Sequence, residues 1–256
     1  MAKIVSGAGD SAKRALQLDP DCDEALTALG FVNYRYQHDW TSAENNFRRA
    51  LEINPDNVLA RRWYANLLHK TGRFDRGFAE QQRALTLAPN SAIILHEMAW
   101  GGYLAKRFDD AAECLENAEW HEGADAAALY NASEIYEAGG DHQKAVAAWK
   151  QAMTLEGANR MWVANLEKSW QKNGYPGFVR AKTDWLENLV EKDYVYPTDL
   201  AKGYAALGEP DKALEWLKKA VDARVPDVLS IKYAAAFGNL KDDARFQEIL
   251  RQMRFP

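Results

Sequence analysis

The segment RALEINPDN at residues 49–57 returns 34 positions later as RALTLAPNS at residues 83–91. Each copy sets a small residue inside a helix-length apolar pattern, then a proline that cannot continue the helix. Working outward, the same interval of 34 links Ala50, Ala84, Ala118 and Ala152, with Ala220 two intervals further on. Gly72, Gly140, Gly174 and Gly208 stand 68, 34 and 34 apart, and Trp40, Phe74, Phe108 and His142 keep the same step. A fixed period of this length predicts an array of like units, each too small to bury its apolar face alone.

Each period divides into two helix-length segments. KTGRFD (70–75), AKRFDD (105–110), AGGDHQ (138–143) and LGEPDK (207–212) mark the turns between them. Glycine supplies the left-handed residue that ends a helix, and the acidic residue after it favours the N-terminus of the next. Pro55 and Pro89 stop the second helices of the first two units, and Gly123 and Gly157 stand there in the next two. The units run Asp23–Asn57, Val58–Ser91, Ala92–Asp125 and Ala126–Asn159, with looser ones at Arg160–Asp193 and Tyr194–Asp227. The first carries one extra residue, placed by this reading in the turn around Gln37–Asp39. Ala43, Ala111, Ala145, Ala181 and Ala213 mark a second close crossing of helices, with Gly77 in that place in the second unit. Leu29, Phe47, Met98, Leu115 and Trp149 form the apolar stripe between helices.

Composition narrows the function classes. A net charge of −5 and a pI near 5.6 argue against a nucleic-acid footprint. No apolar run approaches the length of a membrane span, and no signal peptide is visible, so a cytoplasmic location is expected. Cys22 and Cys114 read as buried apolar residues rather than a disulfide, since no paired motif joins them. Gly7 and Gly9 mimic the start of a dinucleotide fingerprint, but no alternation of strands and helices follows, so residues 1–22 read as a frayed terminus plus a helix at 8–20. The histidines His38, His69, His96, His121 and His142 lack metal-site spacing and read as surface or turn residues. No nucleophile motif is present, so the expectation is no enzyme, no cofactor and no metal.

The small residues, the glycine turns with their following aromatics, and the terminal prolines together resemble the tetratricopeptide repeat (TPR) family, most closely over residues 23–159 and more weakly over 160–227. Lys106 in place of glycine and the insertion NGYPGF (173–178) depart from the family pattern. The resemblance implies an all-α right-handed superhelix of about six helix pairs, closed by a capping segment at 228–256. The helix at 8–20 is similar to the second helix of a repeat without its partner. Self-association through that N-terminal face is a further expectation.

The same resemblance implies a concave groove lined by the first helices. Carried onto this sequence, the lining residues are Phe31 and Tyr34, then Arg62, Trp63 and Asn66, then His96, Trp100 and Tyr103, then Tyr130, Asn131 and Glu134, and Asn165. Thr27, His69 and Lys168 fall at lining positions too. Aromatics there suit anchoring of an apolar side chain, and asparagines suit a peptide backbone. The implied function is a protein-interaction scaffold for a peptide or partner domain. A carboxylate clamp is broken by Glu97 and Ala127, which stand where an asparagine and a lysine belong. The stretches 200–227 and 242–253 also resemble the repeat domain of multidomain bacterial regulators, which implies a sensor module as the alternative.

Overall fold

The computed structural model describes residues 2–119, 125–190 and 195–253. Gly123, His121 and the unit boundary at Asp193 lie outside them. The described residues form helices and turns, with no strand among them. They divide into two compact bodies, residues 1–101 and 102–255.

In the first body, α1 (Ala2–Leu18) precedes the pairs α2 (Asp23–Val32) with α3 (Trp40–Ile53) and α4 (Val58–Lys70) with α5 (Phe74–Leu87); α6 (Ala92–Leu104) follows, its last three residues being counted with the second body. The N-terminal residues are therefore helical from Ala2, which corrects the expectation of a frayed start. Gly9 is buried on α2 beside Val32, and Leu16 packs on the core of Leu26, Ala50 and Ala60. The apolar face of α1 thus has a partner in α2.

The second body holds α7 (Phe108–Glu119), α8 (Ala126–Gly139), α9 (His142–Leu155), α10 (Arg160–Val190), α11 (Pro197–Ala206), α12 (Pro210–Asp222) and α13 (Ala244–Gln252). Two short 3₁₀ turns, Pro226–Ser230 and Ala235–Leu240, join the last two helices. Within α10 the backbone breaks at Gly174 (φ 62°, ψ −153°), so this element is two helices that meet at a kink inside NGYPGF.

The periodic alanines are where the helices touch. Ala50, Ala84, Ala118, Ala152 and Ala220 are fully buried, as are Ala43, Ala111, Ala145 and Ala213. With no exposed surface at these positions, a larger side chain has to displace a packed neighbour.

The turn glycines have a common conformational cause. Gly72, Gly140, Gly174 and Gly208 have φ between 62° and 83°, and the intervening positions in the same register, His38 and Lys106, are also left-handed at 55° and 60°. Arg73, Arg107, Asp141 and Glu209 each donate a backbone N–H to the carbonyl five residues back, which closes the helix end. Non-glycine residues pay about 1–2 kcal/mol for this conformation. Lys106→Gly should therefore raise stability by ~1 kcal/mol in urea denaturation, and an unchanged or lowered midpoint would count against it.

The extra residue of the first unit is real, but it is not in the turn. It widens the last helical turn, Asn33–Gln37, into a π-turn, and Asp39 N–H reaches back six residues to the Asn33 carbonyl. His38 thereby keeps the left-handed corner in register with Gly72. One residue too many is absorbed most cheaply by a wider helical turn, because every flanking backbone bond survives.

Caps at the helix starts follow the same period. Asn57 Oδ1 accepts from Ala60 N–H at 2.8 Å, and Asp125 Oδ1 accepts from Ala128 N–H at 2.7 Å. Asp39 and Asp141 cap the second helices in the same way, on Ser42 and Lys144.

Candidate functional site

In the first body the α2 and α4 helices bring Phe31 and Trp63 together. Their ring centroids lie 4.2 Å apart at 31°, and both are half-buried. Tyr36 meets Phe31 edge-on at 6.1 Å, which extends the aromatic surface. Tyr34 is different. It is only 3% exposed and packs between Phe31 and Trp40, so it supports the platform from beneath. That corrects its expected place on the lining. The π-turn explains the shift, since Tyr34 lies inside the widened segment.

Beside the platform, Arg62 forks onto Glu97 with two bonds of 2.9 Å, and Asn66 Nδ2 donates to the same carboxylate at 3.1 Å. The residue that breaks the family's carboxylate clamp thus occupies the two donors that would have served it. His96 and Trp100 are half-buried on α6. Thr27 is buried and bonds to Asp23 and Asn57.

His69 belongs to the core, contrary to its reading as a lining or surface residue. It is 1% exposed and lies against Phe78, with ring centroids 4.8 Å apart, and Nε2 meets Gln81 Oε1 at 2.9 Å. Gly77 and Gly101 make room for the ring. A Cβ on either would stand 2.7 Å or 2.6 Å from it. Burial pushes its pKa down to about 4, only partly offset by the Gln81 bond, with Lys70 adding to the depression.

In the second body, Tyr103 is 1% exposed and buried, a second correction to the expected lining. Tyr130 is half-buried, with its ring 4.5 Å from Trp149 and its hydroxyl donating to Glu156 at 2.6 Å. Asn131, Asn165 and Lys168 are exposed. Glu134 pairs with Lys202, which also reaches Asp199 at 3.3 Å. Burial raises the Glu134 pKa above the usual carboxylate range, with Lys202 opposing the rise.

These charges border a cavity of about 270 Å³ lined by Tyr103, Glu134, Glu137, Trp149, Lys182 and Asp199, together with Lys202 and Ala235–Ala236. Sequence reasoning did not single out Lys182 and Lys202. A periodic signal existed, because Lys182 sits four residues after Phe178 and three before Trp185, on the apolar face. Among the described residues no group of His, Cys, Asp and Glu could hold a metal ion, and no helix is long and apolar enough to cross a membrane. Cys22 and Cys114 are free thiols, half-buried rather than buried as expected.

A tetratricopeptide-repeat family profile matches residues 31–92 and 105–155, and a second matches 198–219; together they cover just over half of the chain. The chain is a tetratricopeptide repeat protein. Among solved structures, a TPR protein from Parabacteroides merdae ATCC 43184 superposes with a TM-score of 0.61 at 16% identity, covering 97% of this chain and 92% of that one. The Cut9–Hcn1 assembly of the APC/C gives 0.61 at 14% identity, over 97% of this chain and 47% of that one. PilW, a type IV pilus biogenesis factor, gives 0.55 at 19%, over 89% and 98%. At these identities the likeness concerns the fold. A human protein O-mannosyl-transferase, TMTC1, is 29% identical over 107 residues, which is 41% of this TPR chain and 12% of that protein.

Proposed function

We propose that this TPR protein is a non-enzymatic interaction scaffold that holds a peptide or partner domain on the first-helix surface around Phe31 and Trp63. The observation that carries the reading is the Phe31–Trp63 pair, two large half-buried rings side by side on the first helices with Tyr36 edge-on beside them. Paired aromatics of this kind anchor an apolar side chain, and most binding energy concentrates in a few such residues. The Arg62–Glu97 fork gives the platform a polar rim, and the Asn66 side-chain carbonyl beside it is an acceptor for a peptide backbone. Asn131 and Asn165, exposed in the second body, offer further backbone contacts.

The test compares the proteins captured by wild type with those captured by Trp63→Ala/Trp100→Ala, read by mass spectrometry. The double variant should lose captured partners by at least ~10-fold while keeping its helical circular dichroism, as loss of a hot spot implies. Equal capture by a folded double variant would overturn the platform.

The alternative is a sensor or regulatory module of a larger bacterial protein, favoured by the likeness of 200–227 and 242–253 to the repeat domains of such regulators. In that reading the same surface would hold a neighbouring domain. Self-association through the α1 face is a separate proposal: light scattering should show mass rising with concentration, and a constant monomer would remove it.

A further inference from the structure

The cavity of the second body contains charges that its own neighbours do not satisfy. Lys182 is 6% exposed, yet its ammonium stands 3.9 Å from the Glu137 carboxylate and otherwise faces the Trp149 and Phe178 rings. No hydrogen bond to another described residue holds it. Opposite in charge, Glu134 spends one carboxylate oxygen on Lys202, while the other, Oε2, is buried without a partner. Trp149 Nε1–H, on the same wall, is also buried without a partner. Buried groups of this kind ordinarily find an acceptor or a donor, because leaving them unmatched costs more than a typical hydrogen bond returns.

The chemistry of an occupant follows from the pairing of these groups. A simple anion would meet Lys182 but also Glu134, Glu137 and Asp199. A simple cation would meet Glu134 but also Lys182 and Lys202. Only a molecule with both signs close together matches the unspent acceptor and the unspent donors at once. The space of about 270 Å³ is slightly below the range of drug-sized ligand pockets, which suits a small molecule. Trp149 and Tyr103 provide apolar surface for a side chain.

We propose that this cavity binds a free α-amino acid, its ammonium donating to Glu134 Oε2 and its carboxylate accepting from Lys182 Nζ and Trp149 Nε1. The site goes beyond the scaffold reading and does not depend on it, since the platform residues Phe31 and Trp63 belong to the other body.

Titration calorimetry on the full chain tests it. The protein L-amino acids are added one at a time up to about 10 mM, enough to approach saturation of a millimolar site. Acetate, methylamine, and the N-acetyl and methyl-ester forms of the best binder serve as controls. At least one amino acid should bind one to one, with either blocked form roughly tenfold weaker or worse, as expected when a buried charge loses its partner. Glu134→Gln and Lys182→Met should each weaken binding by about the same factor. Should Lys182→Met fail to fold, Trp149→Phe keeps an aromatic ring, removes the N–H, and carries the same expectation. Absence of binding by every amino acid would overturn the proposal. So would acetate or methylamine binding as tightly as the best amino acid, or affinity unchanged in the folded variants. Loss of partner capture in Trp63→Ala/Trp100→Ala with amino-acid binding intact would separate the two functions.

Discussion

Lys202→Met should destabilise the protein by about 3–5 kcal/mol near neutral pH, the usual cost of removing one partner from a buried ion pair. Lys202 and Glu134 have side chains only 17% and 13% exposed, so water replaces little of what is lost. The pH dependence separates this cause from a packing defect. Without the Lys202 ammonium, burial and the Asp199 charge raise the Glu134 pKa further, opposed only by the charge of Lys182. A carboxyl whose folded pKa is raised stabilises the fold below its ordinary value, and that stability is lost as pH rises through the folded value. The gap between wild type and variant should therefore narrow as pH falls from about 7 to about 5. Urea midpoints at both pH values measure it. A gap below ~1 kcal/mol at neutral pH, or one that widens on acidification, would contradict the buried-pair account.

Acid should weaken the first body through His69. Its pKa falls from 6.5 to about 4 on folding, so the unfolded chain takes up the proton first. The stability this represents is complete above the unfolded value, drains away as pH falls from 6.5 to about 4, and changes no further below that. The difference corresponds to ~3 kcal/mol. The double variant His69→Leu/Gln81→Leu removes the titrating ring and its buried partner together. Its stability should be flatter than wild type across that window by a comparable amount, as urea titrations at several pH values would show. An acid slope equal to that of wild type would exclude His69 as the cause.

The fold was legible because a repeat states its constraints several times. Ala50, Ala84 and Ala152 are close-contact positions, and Gly72, Gly140 and Gly208 are left-handed corners; each inference is corroborated by its copies. Departures from the period were harder to place. The extra residue was visible by count, but only hydrogen bonding decides between a longer turn and a wider helix, and Asn33–Gln37 took the latter.

His69 shows how a local reading fails while the pairwise one remains available. A histidine near a turn looks like a surface residue by itself. The clue was Gly77, the one unit where the small alanine gives way to something smaller still, because a ring from α4 fills the space. The lining positions divided for a similar reason. Phe31 and Trp63 are half-buried, whereas Tyr34 and Tyr103 were drawn into the core by neighbours that no single repeat encodes. The buried charges around Lys182 and Lys202 were obscured by the habit of reading lysine as solvated, although both lie on apolar faces.

The most direct measurement replaces Trp63 with a photoreactive benzophenone amino acid in otherwise native protein and records what it labels. Leu87, an exposed apolar residue on α5 of the same body, carries the same group as a control. The scaffold account predicts a discrete cross-linked partner band from position 63 that is absent from position 87 and disappears when unlabelled wild-type protein competes. Equal, non-competed labelling from both positions, or none from position 63, would contradict it.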